Sequence, residues 1–131
     1  MPDLSKILLV TDMDGTLLPG SKILAEKDLE AVNRFRSDGG KFTVATGRTL
    51  QSAIKYIQQL EVDIPVILYN GSLIYDTHKD EVLFTDELPE YAKEIADELF
   101  KYMKNPGGEV LRLDNIYVVS VSYTHLTLPT T

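Results

Sequence analysis

Residues 6–18 read Lys6-Ile7-Leu8-Leu9-Val10-Thr11-Asp12-Met13-Asp14-Gly15-Thr16-Leu17-Leu18. Ile7 to Val10 is a short, continuous apolar run, and Thr11-Asp12-Met13-Asp14-Gly15 closes it. Runs of this kind read as strands buried on both faces, as in parallel sheets.

Beyond this run the hydrophobic period changes. Leu17 to Ile23 is a connection containing Pro19 and Gly20. From Leu24 onward Ala25, Leu29, Val32 and Phe35 recur at three and four residues, with Glu26, Lys27, Glu30 and Arg34 between them. That spacing predicts an amphipathic helix, stopped by Gly39-Gly40. Phe42-Thr43-Val44-Ala45 is a second short strand ending in Thr46-Gly47-Arg48. Leu50, Ile54, Ile57 and Leu60 predict a second helix. Pro65 to Tyr69 is a third strand ending in Asn70-Gly71. Residues 6–71 thus alternate strand, helix, strand, helix, strand through short linkers, the signature of an α/β domain with a parallel sheet. Ligands of such sheets bind beyond the carboxyl ends of the strands. Asp12, Thr46 and Asn70 stand at those three ends.

After Gly71 the style shifts. Leu73-Ile74-Tyr75 and Val82-Leu83-Phe84 flank a polar turn and read as a β-hairpin. Pro89 opens a helix over 90–104 with Tyr91, Ile95, Leu99 and Tyr102 on its apolar stripe, and Pro106-Gly107-Gly108 ends it. Residues 110–113 and 116–119 read as two strands around Asp114-Asn115. Residues 81–100 hold seven acids and one Lys, the pattern of a solvated helix face.

The composition narrows the function. The chain has 131 residues and a net charge of −7. That balance argues against a non-specific nucleic-acid binder, which needs a basic face. There are no cysteines, so disulfide scaffolds and thiolate metal sites are excluded. No apolar run has the length of a membrane span. The first ten residues lack the basic start and cleavage site of a signal peptide. A soluble, cytoplasmic protein is the expectation.

Alternate residues of an extended segment point the same way, so Asp12 and Asp14 can face one ligand. Two close carboxylates repel, and a divalent cation relieves that. Gly15 permits a tight turn whose N–H groups can cradle an anion. A carboxylate attacking phosphorus forms an aspartyl phosphate and splits one displacement into two. A second carboxyl can protonate the leaving oxygen and then activate water. An isolated D-x-D-G is more simply a polar turn closing a strand. The second polar motif at the end of the next strand, Thr46-Gly47-Arg48, turns the reading towards a site.

Hydrophobic strand followed by D-M-D-G-T-L-L resembles motif I of the haloacid dehalogenase superfamily. Val44-Ala45-Thr46-Gly47-Arg48 resembles motif II of its Cof-type subgroup, and Asn70-Gly71-Ser72 resembles the N-G-[AS] after that subgroup's third strand. The resemblance covers residues 6–119. It implies a Rossmann-like α/β core over residues 1–80 and the beginning of an α/β cap domain over 81–120. It implies a Mg²⁺-dependent phosphatase acting on a small phosphorylated metabolite, with Asp12 as nucleophile and Mg²⁺ ligand. Asp14 is implied as general acid/base, its backbone carbonyl a further Mg²⁺ ligand. Thr46 is implied as a hydroxyl donor to the phosphoryl group, with Gly15, Gly47 and Asn70 shaping the phosphate loops. Arg48 is either a contact to substrate or cap, or a surface Arg at a helix start. The family's phosphoryl-stabilising Lys and its later acidic pair have no counterpart here. Without them the chain is expected to be inactive as an enzyme fragment; strand 1 is central in that family, so its far edge is expected to be open and the chain poorly stable alone.

A phosphomutase of the same subgroup shares Asp12 and Asp14, and a non-catalytic phosphate- or Mg²⁺-binding module is a third reading. Oligomeric state is not legible. Residues 121–131 carry no charged side chain. Val121 to Thr130 resemble the in-frame translation of a transposon-end sequencing adapter. They are expected to be a non-native tail, with the reading frame cut near Ser120 and no role for His125.

Overall fold

The computed structural model describes residues 3–104 and 106–119; the expected non-native tail, 121–131, lies outside them. The chain divides into two units, residues 1–86 and 87–131.

In the first unit the opening apolar run forms β1 (Leu8–Thr11), paired in parallel with β2 (Lys41–Val44) in the register Leu8↔Lys41 to Thr11↔Val44. Between them runs α1 (Glu26–Ser37), with Glu26 and Asp28 in its first turn and Arg34 and Arg36 in its last. Those charges complement the helix dipole. α2 (Leu50–Gln59) succeeds β2 and is capped by Thr49, whose side chain accepts from the Ser52 N–H, meeting one of the unpaired donors of a helix start. β3 (Val66–Leu68) joins β2 in parallel through the bridge Ala45↔Ile67. The Thr43 hydroxyl donates to the Pro65 carbonyl at 2.7 Å and strengthens that join. The expected α/β class and parallel strand order are what the chain adopts.

β4 (Leu73–Asp76) turns back antiparallel on β3, and β5 (Glu81–Thr85) pairs antiparallel with β4. The chain therefore divides at 86/87 rather than at 80/81, because the β4–β5 ladder ties residues 81–85 to the first unit.

The core gathers Met13, Leu18, Val32, Phe42, Val44, Ala53, Ile57, Leu60, Val66 and Leu68. Each large apolar chain fully buried there contributes about 1.5–3 kcal/mol. β1 departs from expectation. Its apolar run is not buried on both faces: Ile7, Leu8, Leu9 and Val10 are all exposed, Leu8 at 59%. Among the described residues β1 pairs with β2 alone. Burial of a strand depends on neighbours, not on its own apolarity.

In the second unit α3 (Ala92–Tyr102) precedes an antiparallel pair, β6 (Gly108–Leu111) and β7 (Ile116–Val119). The turn runs from Arg112 to Asn115, whose carbonyl accepts from the Arg112 N–H at 2.9 Å. This places the first strand two residues earlier than its sequence pattern suggested. The stripe of Tyr91, Ile95, Leu99 and Tyr102 is exposed. Phe100 instead lies against Gly108, 3.1 Å from where a Cβ there would sit.

Candidate functional site

The carboxyl ends of β1, β2 and β3 converge on a cleft of about 270 Å³, lined by Asp12, Ala45, Thr46, Gly47, Ile67, Asn70 and Gly71. Four residues expected at a site from sequence, Asp12, Thr46, Gly47 and Asn70, thus come together. Parallel pairing explains this, because it brings the ends of successive strands to one edge.

Thr46 is buried. Its hydroxyl oxygen accepts from the Arg48 N–H at 3.1 Å, and its carbonyl accepts from the Asn70 N–H at 3.1 Å. The chain leaves β3 through an unusual turn. Tyr69, Asn70 and Gly71 have φ of 51°, 55° and 94°. A left-handed bulky residue such as Tyr69 is strained, and such strain persists only where the surroundings over-determine it. Here the Tyr69 N–H donates to the Arg48 carbonyl at 3.1 Å. The turn sets the Asn70 amide over Gly47. A Cβ on residue 47 would stand 2.7 Å from Asn70 Oδ1, so only glycine admits this approach.

Asp14 and Gly15 stand beside the cleft rather than in its wall. Gly15 holds φ of 79° and its N–H donates to the Leu18 carbonyl at 2.9 Å, closing the turn after β1. The Asp14 carboxylate receives Arg48 Nε on Oδ2 at 2.7 Å and Arg48 Nη2 on Oδ1 at 2.8 Å. Lys22 Nζ donates to Oδ1 at 2.6 Å. The Arg48 bonds first, and then Lys22, hold the Asp14 carboxyl well below the usual carboxylate range, and Asp14 in turn raises Arg48. Arg48 is thus no idle surface residue at a helix start: it is bound to Asp14, and its Nη1 also donates to the Ser52 carbonyl at 3.2 Å.

Lys22 and Tyr56 were not legible as site residues. Tyr56 is buried in α2, and its hydroxyl donates to the Lys22 carbonyl at 2.9 Å. Lys22 lies in a loop without periodicity, and Tyr56 reads as one more apolar residue of its helix. Neither carries a local signal.

For a divalent cation the chain offers hard oxygen donors. Mg²⁺ commonly takes one or two carboxylates and completes its shell with water and phosphate. Among the described residues no group of three or more His, Asp or Glu side chains converges. Asp12 on the cleft wall, with the neighbouring backbone of Asp14, fits such a sparsely protein-bound ion. Among the same residues no helix is long and apolar enough to cross a membrane.

Comparison with known proteins gives a consistent result. A family model described as haloacid dehalogenase-like hydrolase matches residues 9–125, running into the segment expected to be non-native. The chain is 34% identical over 113 residues to the 5-amino-6-(5-phospho-D-ribitylamino)uracil phosphatase YitU of Bacillus subtilis, covering 84% of this chain and 41% of that protein. It is 37% identical over 82 residues to the pyridoxal phosphate phosphatase YbhA of Escherichia coli, covering 63% of this chain and 30% of YbhA. The fold matches that of BT1666 from Bacteroides thetaiotaomicron with a TM-score of 0.73 at 22% identity, over 90% of this chain and 44% of that one. The chain thus spans less than half the length of each of these proteins.

Proposed function

This chain belongs to the haloacid dehalogenase-like hydrolase family, and on that premise we propose that it carries the nucleophile half of a phosphomonoester hydrolase acting on a small phosphorylated metabolite. The observation that carries the reading is that Asp12 lines one cleft with Thr46, Gly47 and Asn70. The names of the relatives support the substrate class: one acts on a phosphorylated ribitylamino-uracil, the other on pyridoxal phosphate.

In this reading an Asp12 carboxylate oxygen attacks phosphorus. The bond from phosphorus to the leaving oxygen breaks, and the Asp14 carboxyl gives that oxygen its proton. Water then attacks the phosphorus of the aspartyl phosphate while Asp14, now ionised, takes the water's proton. Inorganic phosphate leaves and Asp12 is restored. The Arg48 and Lys22 bonds favour the ionised form of Asp14, the form left after it gives up its proton and the form that meets the water. The Thr46 hydroxyl donates to a phosphoryl oxygen, and the loops at Gly47 and Asn70 shape the space that the phosphoryl group occupies. Mg²⁺, held by the Asp12 carboxylate and the Asp14 carbonyl, would neutralise phosphate charge when bound.

Phosphoryl transfer depends mostly on positioned charge. Among the described residues Asp12 and Asp14 are the carboxylates at the site, and Lys22 and Arg48 are engaged with Asp14. By itself the 131-residue chain is therefore proposed to have no appreciable turnover. The test is phosphate release from small phosphomonoesters by a protein that carries this chain at the full length of its relatives. Asp12→Asn should lower turnover by several powers of ten. Turnover that survives the substitution overturns the reading.

A further inference from the structure

Tyr56 ties together the two cations that grip Asp14. Its hydroxyl donates to the backbone carbonyl of Lys22 at 2.9 Å. The centroid of the same ring lies 5.2 Å from the guanidinium carbon of Arg48, within the range at which a cation is drawn to an aromatic face. Lys22 and Arg48 then reach the Asp14 carboxylate by three hydrogen bonds of 2.6, 2.7 and 2.8 Å.

Lys22 needs holding. Its φ is 58°, a left-handed conformation that strains a residue with a side chain of this size. Its own N–H donates to the Pro19 carbonyl at 2.9 Å, and the Tyr56 hydroxyl secures its carbonyl from the other side. A phenylalanine would fill the same buried space in α2. The hydroxyl therefore serves the loop, and the ring faces two cations, Arg48 and also Lys55, whose Nζ lies 4.7 Å from its centroid.

We infer that Tyr56 is a positioning residue for Asp14: through Lys22 and Arg48 it sets where the carboxylate stands beside the cleft. The inference rests on the reading of Asp14 as the acid/base of the reaction centred on Asp12. In that reaction a displaced carboxylate would miss both the leaving oxygen and the attacking water.

The test uses the whole 131-residue chain, isotopically labelled and observed by NMR at one fixed neutral pH. The Asp14 carboxylate carbon and the Arg48 Nε–H report the cluster. Tyr56→Phe keeps the ring and removes the hydroxyl. It should speed solvent exchange of the Lys22 amide by about tenfold, the loss of one hydrogen bond. It should also move the Asp14 carbon towards its position in Lys22→Ala, while the Arg48 Nε–H signal stays. Tyr56→Leu should lose that signal as well, so that phenylalanine rescues what leucine does not. A merely structural role would leave the Asp14 carbon unmoved in Tyr56→Phe. That result overturns the inference, whether or not Tyr56→Leu folds. Failure of the functional reading shows separately, as turnover that survives Asp12→Asn, and does not alter these signals.

Discussion

The guanidinium of Arg48 meets the carboxylate of Asp14 as a fork, Nε 2.7 Å from Oδ2 and Nη2 2.8 Å from Oδ1. The two residues lie 34 apart in sequence, just past the ends of β1 and β2. Paired charge-assisted bonds of this kind fix direction as well as distance. The contact joins the polar motif after the first strand to the one after the second.

The pair makes stability depend on pH. Arg48 foremost, and then Lys22, hold the Asp14 carboxyl below its ordinary 3.8. A folded-state value depressed in this way adds stability above the unfolded value, and that stability is lost as pH falls through the folded one. Asp14→Asn should be the less stable protein at neutral pH. With a side chain 40% exposed, the difference should be about 1 kcal/mol or less. It should shrink progressively below about pH 4. Urea unfolding of both proteins across the acid range checks this; a gap independent of pH would show that the ion cluster does not contribute to folding.

Gly47→Ala should destabilise the chain by about 1–3 kcal/mol, the usual cost of forcing an atom into occupied space. The added Cβ would meet Asn70 Oδ1 at 2.7 Å. Asn70→Gly, which tolerates the left-handed turn, should restore much of that loss in the double variant, with a coupling of about 0.5–3 kcal/mol. Strictly additive effects in a double-mutant cycle would mean that the amide does not rest on residue 47.

Gly15→Ala meets no atom within 4 Å, so its cost is conformational and arises from φ of 79°. About 1–2 kcal/mol is expected. Gly20 also faces open space, without a left-handed φ, and Gly20→Ala should stay within about 0.5 kcal/mol of wild type. Thermal melts of the two variants compare them directly, and equal melting temperatures would contradict the assignment.

Leu9 and Phe42 are ladder partners across β1 and β2 with opposite surroundings. Leu9 is 45% exposed and Phe42 is 1% exposed. Phe42→Ala should cost about 3–5 kcal/mol, through lost burial and a cavity, and Leu9→Ala much less. Chemical denaturation ranks them. A Leu9→Ala loss as large as that of Phe42→Ala would show that β1 is covered in solution.

Much of this architecture is legible in the sequence alone. The change from an unbroken apolar run to a spacing of three and four residues marks β1, α1, β2, α2 and β3, because strand and helix bury side chains at different periods. Parallel crossovers then oblige Asp12, Thr46 and Asn70 to gather at one edge, so the cleft was legible before its geometry was. Other features depend on what stands next to what. Leu8 and Leu9 are exposed, and among the described residues β1 has one paired strand, β2, which no property of those two leucines announces. The choice of Phe100 over Tyr91, Ile95 and Leu99 as the packed face of α3 has the same origin. Lys22 and Tyr56 join the site through a left-handed loop and a buried ring, contacts that span 34 residues and leave no local pattern. Periodicity is encoded residue by residue; the company a side chain keeps is decided only when the chain closes on itself.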